Sequence, residues 1–153
     1  MAANTSPIYP VSPLTSTWAA SLAAVTACTT RAPTSHATVS GGGSPNYCVA
    51  LVPTSTNGAR IDTIKVQACS TSITAATVAQ TVLIWKSNGT TAFVVDEIPV
   101  TAVTPSTTVA AFSIERSYSN LLLGPADTLW ASTTVTTTAS TTALSVIANG
   151  GLY

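Results

Sequence analysis

Charge is what this sequence has least of. Its 153 residues include five basic and five acidic side chains, so only 7% are charged and the formal net charge is zero. Soluble domains average roughly 25% charged residues. A protein that binds nucleic-acid phosphates needs clustered lysine or arginine, and the sequence contains no such cluster. We therefore expect no nucleic-acid partner.

Long apolar runs are lacking as well. No stretch of about 18 apolar residues is present, so we expect no membrane-spanning helix and no membrane partner. The N-terminal residues have no basic region followed by an unbroken apolar one, so we expect no secretory leader and synthesis in a cytoplasm. Patterns of alternating helix and strand are also missing, which argues against a parallel α/β fold.

The residues that carry most enzyme chemistry are scarce. The single histidine, His36, lies in a loop rich in Ser, Thr and Gly, without a G-x-S-x-G motif nearby. Asp96 and Glu97 are adjacent on a predicted strand, so their side chains point to opposite faces. An enzyme would need residues that converge around Asp62, Asp96 or Asp127. We expect no catalytic, cofactor-binding or metal-binding residues, and hence no enzyme and no cofactor.

Cysteine is also sparse, with Cys28, Cys48 and Cys69 about twenty residues apart. Zinc sites usually draw their ligands from close pairs such as C-x-x-C, and three cysteines do not make a full disulfide framework. The interpretation we favour is that they are buried small hydrophobic residues on strands. A single disulfide or an intermolecular one is the alternative.

Threonine, serine and valine are abundant, and about three residues in ten are Thr or Ser. β-Branched side chains favour strands. An Asn-Gly pair between apolar runs, as in "SNGTT", indicates a hairpin. We predict an all-β fold, an antiparallel β-sandwich or jelly roll of about eight strands with an extended Pro-rich N-terminal arm. The predicted strands cover residues 14–28, 47–52, 60–68, 77–86, 92–98, 109–117, 121–132 and 143–148, and the Thr-rich residues 132–142 are expected to alternate within a hairpin.

Three prolines at three-residue spacing, the last of them Pro13, mark residues 1–13 as an extended arm. Residues 14–153 then form a single β-sandwich domain. The arm carries apolar groups that solvent-exposed chain normally avoids, so it packs either along its own domain or on a neighbouring subunit. Its candidate partner-binding residues are Pro7, Ile8, Tyr9, Pro10 and Val11.

The stretch "NGARIDTIKV" holds three of the ten charges. Arg60 and Asp62 are two apart, and simple strand alternation puts them on the same face as Ile64 and Val66. We interpret these charges as structural, in an ion pair with each other or with a neighbouring strand or subunit, rather than as an active site.

Four segments resemble a family of small structural proteins of tailed bacteriophages. They are "NTSPIYP" at the start, "NGARIDTIKV", "EIPVTAVTPSTTVAAF" and the C-terminal "NGGLY". The family pattern has an acidic residue before the final tyrosine, where this chain has Leu152.

The resemblance implies a virion structural protein, most simply a capsid decoration (cement) protein on the capsid surface, made in the host cytoplasm. Its implied partners are the major capsid protein and further copies of itself, by analogy a homotrimer. The alternative is a fibre or tail accessory, or a module that binds host glycans through exposed tryptophans. Trp18, Trp85 and Trp130 are the candidates for such a glycan-binding platform, but for Trp85 and Trp130 we favour a core or interface position.

Overall fold

Nearly all of the regular structure described is β-strand, as the abundance of β-branched residues predicts. All of the named strands pair antiparallel. The computed structural model describes residues 12–13, 18–23, 25–29, 34–40, 48–54, 57–69, 76–138 and 142–153. Its strands are β1 (Ser12–Pro13), β2 (Trp18–Leu22), β3 (Thr34–Ser35), β4 (Cys48–Val52), β5 (Ala59–Ala68), β6 (Gln80–Ser87), β7 (Thr91–Val100), β8 (Ser113–Leu123), β9 (Thr128–Thr133) and β10 (Leu144–Leu152).

The strands form two sheets. In the first sheet β10 lies between β5 and an edge made by β1 and β2, and β8 pairs with the far side of β5. The second sheet has the order β3, β7, β6, β9, β4. From β4 to β10, consecutive strands lie in different sheets, except for β6 and β7, which form a hairpin within the second sheet. This strand order is that of a jelly roll, and the predicted all-β sandwich is confirmed.

The core lies between the two sheets. Ile61, Ile64 and Val66 from β5 face Val82 and Ile84 from β6, and all five are fully buried. Fully burying one such side chain stabilises the fold by about 1.5–3 kcal/mol.

The second sheet is buried on its outer face too. Leu83 and Trp85 alternate with the core residues of β6, and they pack against Val39 of a short helix, α1 (His36–Ser40). The N–H of His36 donates to the carbonyl of Thr90 at 2.8 Å, which ties this segment to the β6–β7 hairpin. The sequence predicted only a loop here. The helix has five residues and follows no long apolar period, so composition gave no signal for it.

The hairpin prediction is confirmed. The side-chain oxygen of Asn88 accepts hydrogen bonds from the N–H groups of Thr90 and Thr91 at 3.0 and 2.9 Å. Gly89 between them takes a φ of +86°. The local Asn-Gly pair was therefore enough to predict the β6–β7 hairpin.

The expected faces of β5 are right for Ile64 and Val66 and wrong for Arg60 and Asp62, which simple alternation puts on the same face. Ala59 and Ile61 are buried before Asp62, and Ile64 and Val66 are buried after it. Asp62 is a bulge without a partner on β10, so the inward-facing set changes from odd to even positions. Arg60 therefore points away from the core.

The Thr-rich hairpin was also wrong in the residues described. Strand β9 ends at Thr133, and residues 134–138 form no strand. Thr137 instead hydrogen-bonds the backbone, because its hydroxyl donates to Leu22 O at 2.6 Å and accepts from Val25 N–H at 3.0 Å. This hydroxyl therefore ties the segment after β9 to the chain that follows β2.

The favoured placement of the cysteines was wrong in part. Cys48 begins β4, but Cys28 and Cys69 lie outside the strands, and Cys69 is exposed. Among the described residues, no helix is both long and apolar enough to cross a membrane.

Candidate functional site

Two of the four segments that carry the family resemblance, "NGARIDTIKV" and "NGGLY", meet at one corner of the first sheet, and "NTSPIYP" lies outside the described residues. Gly150, Gly151 and Leu152 pair with Ile61, Arg60 and Ala59, so "NGGLY" lies directly along "NGARID". On the other side of β10, Ser12–Pro13 pair with Leu152 and Gly151. Ser12 and Pro13 therefore lie along the outer side of the same motif. We call residues 12–13, 57–62, 122 and 149–153 the motif corner.

Two glycines allow this close approach. A Cβ on Gly150 would overlap the backbone of Arg60, and a Cβ on Gly58 would overlap the carbonyl of Leu123. Gly58 also has a φ of +92°, and its own carbonyl accepts the N–H of Tyr153 at 3.1 Å. The glycines in the two motifs are thus required by backbone contact.

The outer surface of the motif corner is partly apolar and partly charged. Arg60 and Asp62 form a bidentate ion pair, with Nε–Oδ1 and Nη2–Oδ2 distances of 2.8 and 3.2 Å. The hydrogen bond and the charge of Asp62 raise the pKa of Arg60 above its ordinary value. Directly across the sheet from Arg60, Leu122 is 51% exposed, the highest value among the large apolar side chains described. This combination suits a contact surface.

A second ion pair holds the strand that presents Leu122. The ammonium of Lys86 lies 2.8 Å from an Asp127 oxygen and donates to the Leu122 carbonyl at 2.7 Å. The same Asp127 oxygen accepts the N–H of Gly124 at 2.7 Å. Although partial burial opposes ionisation, the hydrogen bonds from Lys86 and Gly124 and the charge of Lys86 lower the pKa of Asp127. The β8–β9 turn is therefore fixed to β6.

The two sheets are also joined by Tyr118 of β8 and Asp96 of β7. The phenol donates to Asp96 Oδ2 at 2.5 Å. Burial, and then the hydrogen bond and charge of Asp96, raise the pKa of Tyr118 well above its ordinary value. Tyr118 lies in the part of β8 that bulges opposite Asp62, which turns its side chain towards the second sheet.

Replacing Tyr118 by phenylalanine tests this link. We expect the free energy of unfolding at pH 7 to fall by about 2 kcal/mol, because a charged carboxylate loses its donor. The unfolded chain releases the phenolic proton above pH 10 while the folded protein retains it, so wild-type stability falls as pH rises above about 10. Urea unfolding between pH 7 and 11.5 should show a shallower decline in the variant. Parallel declines would contradict the assignment.

The candidate catalytic residues do not come together at the motif corner. Asp62 is engaged with Arg60, Asp96 with Tyr118, and Asp127 with Lys86. Asp96 and Glu97 lie across from Ile84 and Leu83, which face opposite sides of the second sheet.

His36 lies on the outer face of the second sheet. Its Nδ1 is 2.7 Å from the hydroxyl of Ser87, and its ring meets Trp130 edge-on with centroids 6.3 Å apart. Ser87 is fully buried, and its hydroxyl also accepts the N–H of Gly89 at 3.3 Å. The pair therefore holds the hairpin against α1, and the Ser87 side chain is closed off from solvent.

The three tryptophans are packed into the fold. Trp85 is fully buried and donates to Ser132 at 2.8 Å, and Trp130 is half-buried and donates to Thr128 at 2.8 Å. Trp18 is half-buried against the core. The favoured core or interface position of Trp85 and Trp130 agrees with these contacts.

The candidate arm residues, Pro7, Ile8, Tyr9, Pro10 and Val11, lie outside the described residues. Within the described ranges, no three His, Cys, Asp or Glu side chains are grouped so that they could hold a metal ion. Sequence reasoning missed Leu122 as part of the motif corner and Lys86 as the residue that donates to its carbonyl. Only the pairing of β5 with β8, which joins distant segments, brings them together.

Comparison with known proteins gives no relative: no family model, no curated protein and no solved structure matches the chain.

Proposed function

We propose that this chain is a non-enzymatic structural protein of a bacteriophage virion, a decoration (cement) protein that binds and stabilises the shell of the major capsid protein. The proposal starts from the four segments that resemble the phage family. One structural observation supports it most: two of those segments, "NGARIDTIKV" and "NGGLY", pair at the motif corner, and Ser12–Pro13 join the same strand β10 there.

The motif corner is suited to a contact role. An exposed leucine stands beside an ion pair whose partners already neutralise each other, so covering the surface leaves no charge without a partner. The apolar arm that precedes Ser12 in the chain would extend the same contact. Jelly rolls also occur in viral capsid domains, although the fold alone specifies no function.

Deletion of residues 1–11 is the direct test of the arm. Ser12–Pro13 are kept because they pair with β10. We expect the truncated protein to remain folded and to lose attachment to shells assembled from the major capsid protein, measured by co-sedimentation. Full attachment without the arm would contradict the proposed role of Pro7, Ile8, Tyr9, Pro10 and Val11.

A matched pair of substitutions tests the corner. Leu122→Asp and Val109→Asp each place a charge at an exposed apolar position, since the two side chains are 51% and 48% exposed. We expect Leu122→Asp to weaken attachment at least tenfold and Val109→Asp to leave it unchanged. Equal effects would show that the corner has no special role. The proposed homotrimer is checked by native mass spectrometry of the free protein.

The alternative of a fibre or tail accessory that binds host glycans relies on exposed tryptophans. Trp18, Trp85 and Trp130 pack against the protein's own side chains, so the structure adds no observation in its favour.

A further inference from the structure

Cys28 and Cys48 are held close together in the fold. Both side chains pack against the cluster on the outer face of the second sheet. Their backbones adjoin consecutive residues of β9: Cys48 is the partner of Ser132, and the N–H of Cys28 donates to Thr133 O at 2.7 Å. Two independent chain segments are therefore held in place beside the same strand.

We propose that Cys28 and Cys48 form an intramolecular disulfide when the protein meets a small-molecule disulfide oxidant such as oxidised glutathione. The cross-link closes the chain between residues 28 and 48, which includes β3 and α1. Val39 of α1 packs against Leu83 and Trp85, so the bond would close the loop that carries this contact.

Oxidised glutathione accepts the two electrons that the protein thiols lose. One protein thiolate attacks a sulfur of glutathione disulfide and expels one glutathione thiolate, which takes up a proton. The second protein thiol loses its proton to solvent and attacks the mixed disulfide, expelling the second glutathione. One protein S–S bond forms, the S–S bond of the oxidant breaks, and glutathione is reduced.

The environment of Cys48 sets the pH dependence of the reaction. Burial and then the neighbouring Cys28 raise the pKa of the Cys48 thiol to about 12. Thiolate is therefore a small fraction at neutral pH, and the rate of ring closure should rise about tenfold per pH unit between pH 7 and 9.

Cys69 is exposed and lies outside the pair, so the substitution Cys69→Ser removes a competing thiol. The experiment uses the full chain with Cys69→Ser, incubated with oxidised glutathione at pH 8.5, alkylated and digested with trypsin. Cleavage at Arg31 and Arg60 places Cys28 in the peptide 1–31 and Cys48 in the peptide 32–60. We expect these two peptides joined, with a mass two hydrogens below their sum.

Two results would overturn the proposal. One is recovery of both peptides separately, alkylated or capped by glutathione. The other is a cross-link between two protein molecules in place of the internal one. Neither readout requires a change at Cys28 or Cys48, so a variant that fails to fold cannot obscure the outcome.

Thermal unfolding measures the consequence. Closing a loop of about 20 residues should raise the melting temperature of the oxidised Cys69→Ser protein by about 6–12 °C over the reduced form. Adding Cys28→Ser to that variant should abolish the rise. An unchanged melting temperature in a fully cross-linked sample would show that the segment is not held by the bond. Capsid attachment plays no part in these measurements, so they stand apart from the proposed function.

Discussion

Replacing Gly58 by alanine is expected to lower the free energy of unfolding by about 4 kcal/mol, one of the two largest effects we predict. Two penalties add. Alanine at a φ of +92° costs about 1–2 kcal/mol. Its Cβ would also overlap the Leu123 carbonyl, which is backbone and cannot turn aside, and overpacking of this kind costs about 1–3 kcal/mol.

Gly89 is the matched control for the first of these penalties. It has a φ of +86°, but a Cβ there would meet nothing within 4 Å. Gly89→Ala should therefore cost only about 1–2 kcal/mol. Urea unfolding of both variants separates the effects. Equal losses for the two variants would mean that the contact between Gly58 and the β8–β9 turn contributes nothing, and that the motif corner is less tightly packed than its backbone indicates.

The sequence predicts best where the signal is local. The hairpin at Asn88–Gly89 follows from two residues and the apolar runs on either side, because the turn geometry itself requires them. The composition likewise indicates an all-β fold, since β-branched residues dominate and no helical period is present. These predictions required no knowledge of which strands pair.

Predictions that depend on exact alternation are weaker. One extra residue at Asp62 reverses the faces of β5, so Arg60 lies outside although Ile64 lies inside. A bulge is a response to both neighbouring strands, and nothing in the stretch itself marks it. Residues 134–138 form no strand either, and Thr137 hydrogen-bonds instead the backbone of Leu22 and Val25, distant residues that the local pattern does not specify.

The candidate site depended on pairing between distant segments. The sequence shows "NGARID" and "NGGLY" as separate motifs with glycines of unknown purpose. Only the antiparallel pairing of β5 with β10 shows that Gly150 is needed because the backbone of Arg60 passes against it. The motif corner is thus a tertiary property, and the exposed Leu122 joins it through β8.

Replacing Lys86 by methionine is expected to lower the free energy of unfolding by about 3 kcal/mol, the second large effect. The Lys86 and Asp127 side chains are only 23% and 15% exposed, so removing the ammonium leaves a largely buried carboxylate without its counter-charge. It also removes the donor to the Leu122 carbonyl. Lys65→Met, on the outer face of β5, is the matched control and should cost about 1 kcal/mol or less.

A double-mutant cycle with Asp127→Asn isolates the pair. We expect the double variant to be about 2 kcal/mol more stable than the sum of the single losses predicts, because the second substitution removes a charge that the first left unpaired. The pKa of Asp127 is lowered in the folded protein, so its contribution is present above the unfolded value of about 3.9 and is lost as pH falls through the folded value. The wild-type protein and Asp127→Asn should therefore converge in stability at acid pH. Additive losses, or a difference that persists there, would show that Lys86 acts through the Leu122 carbonyl alone.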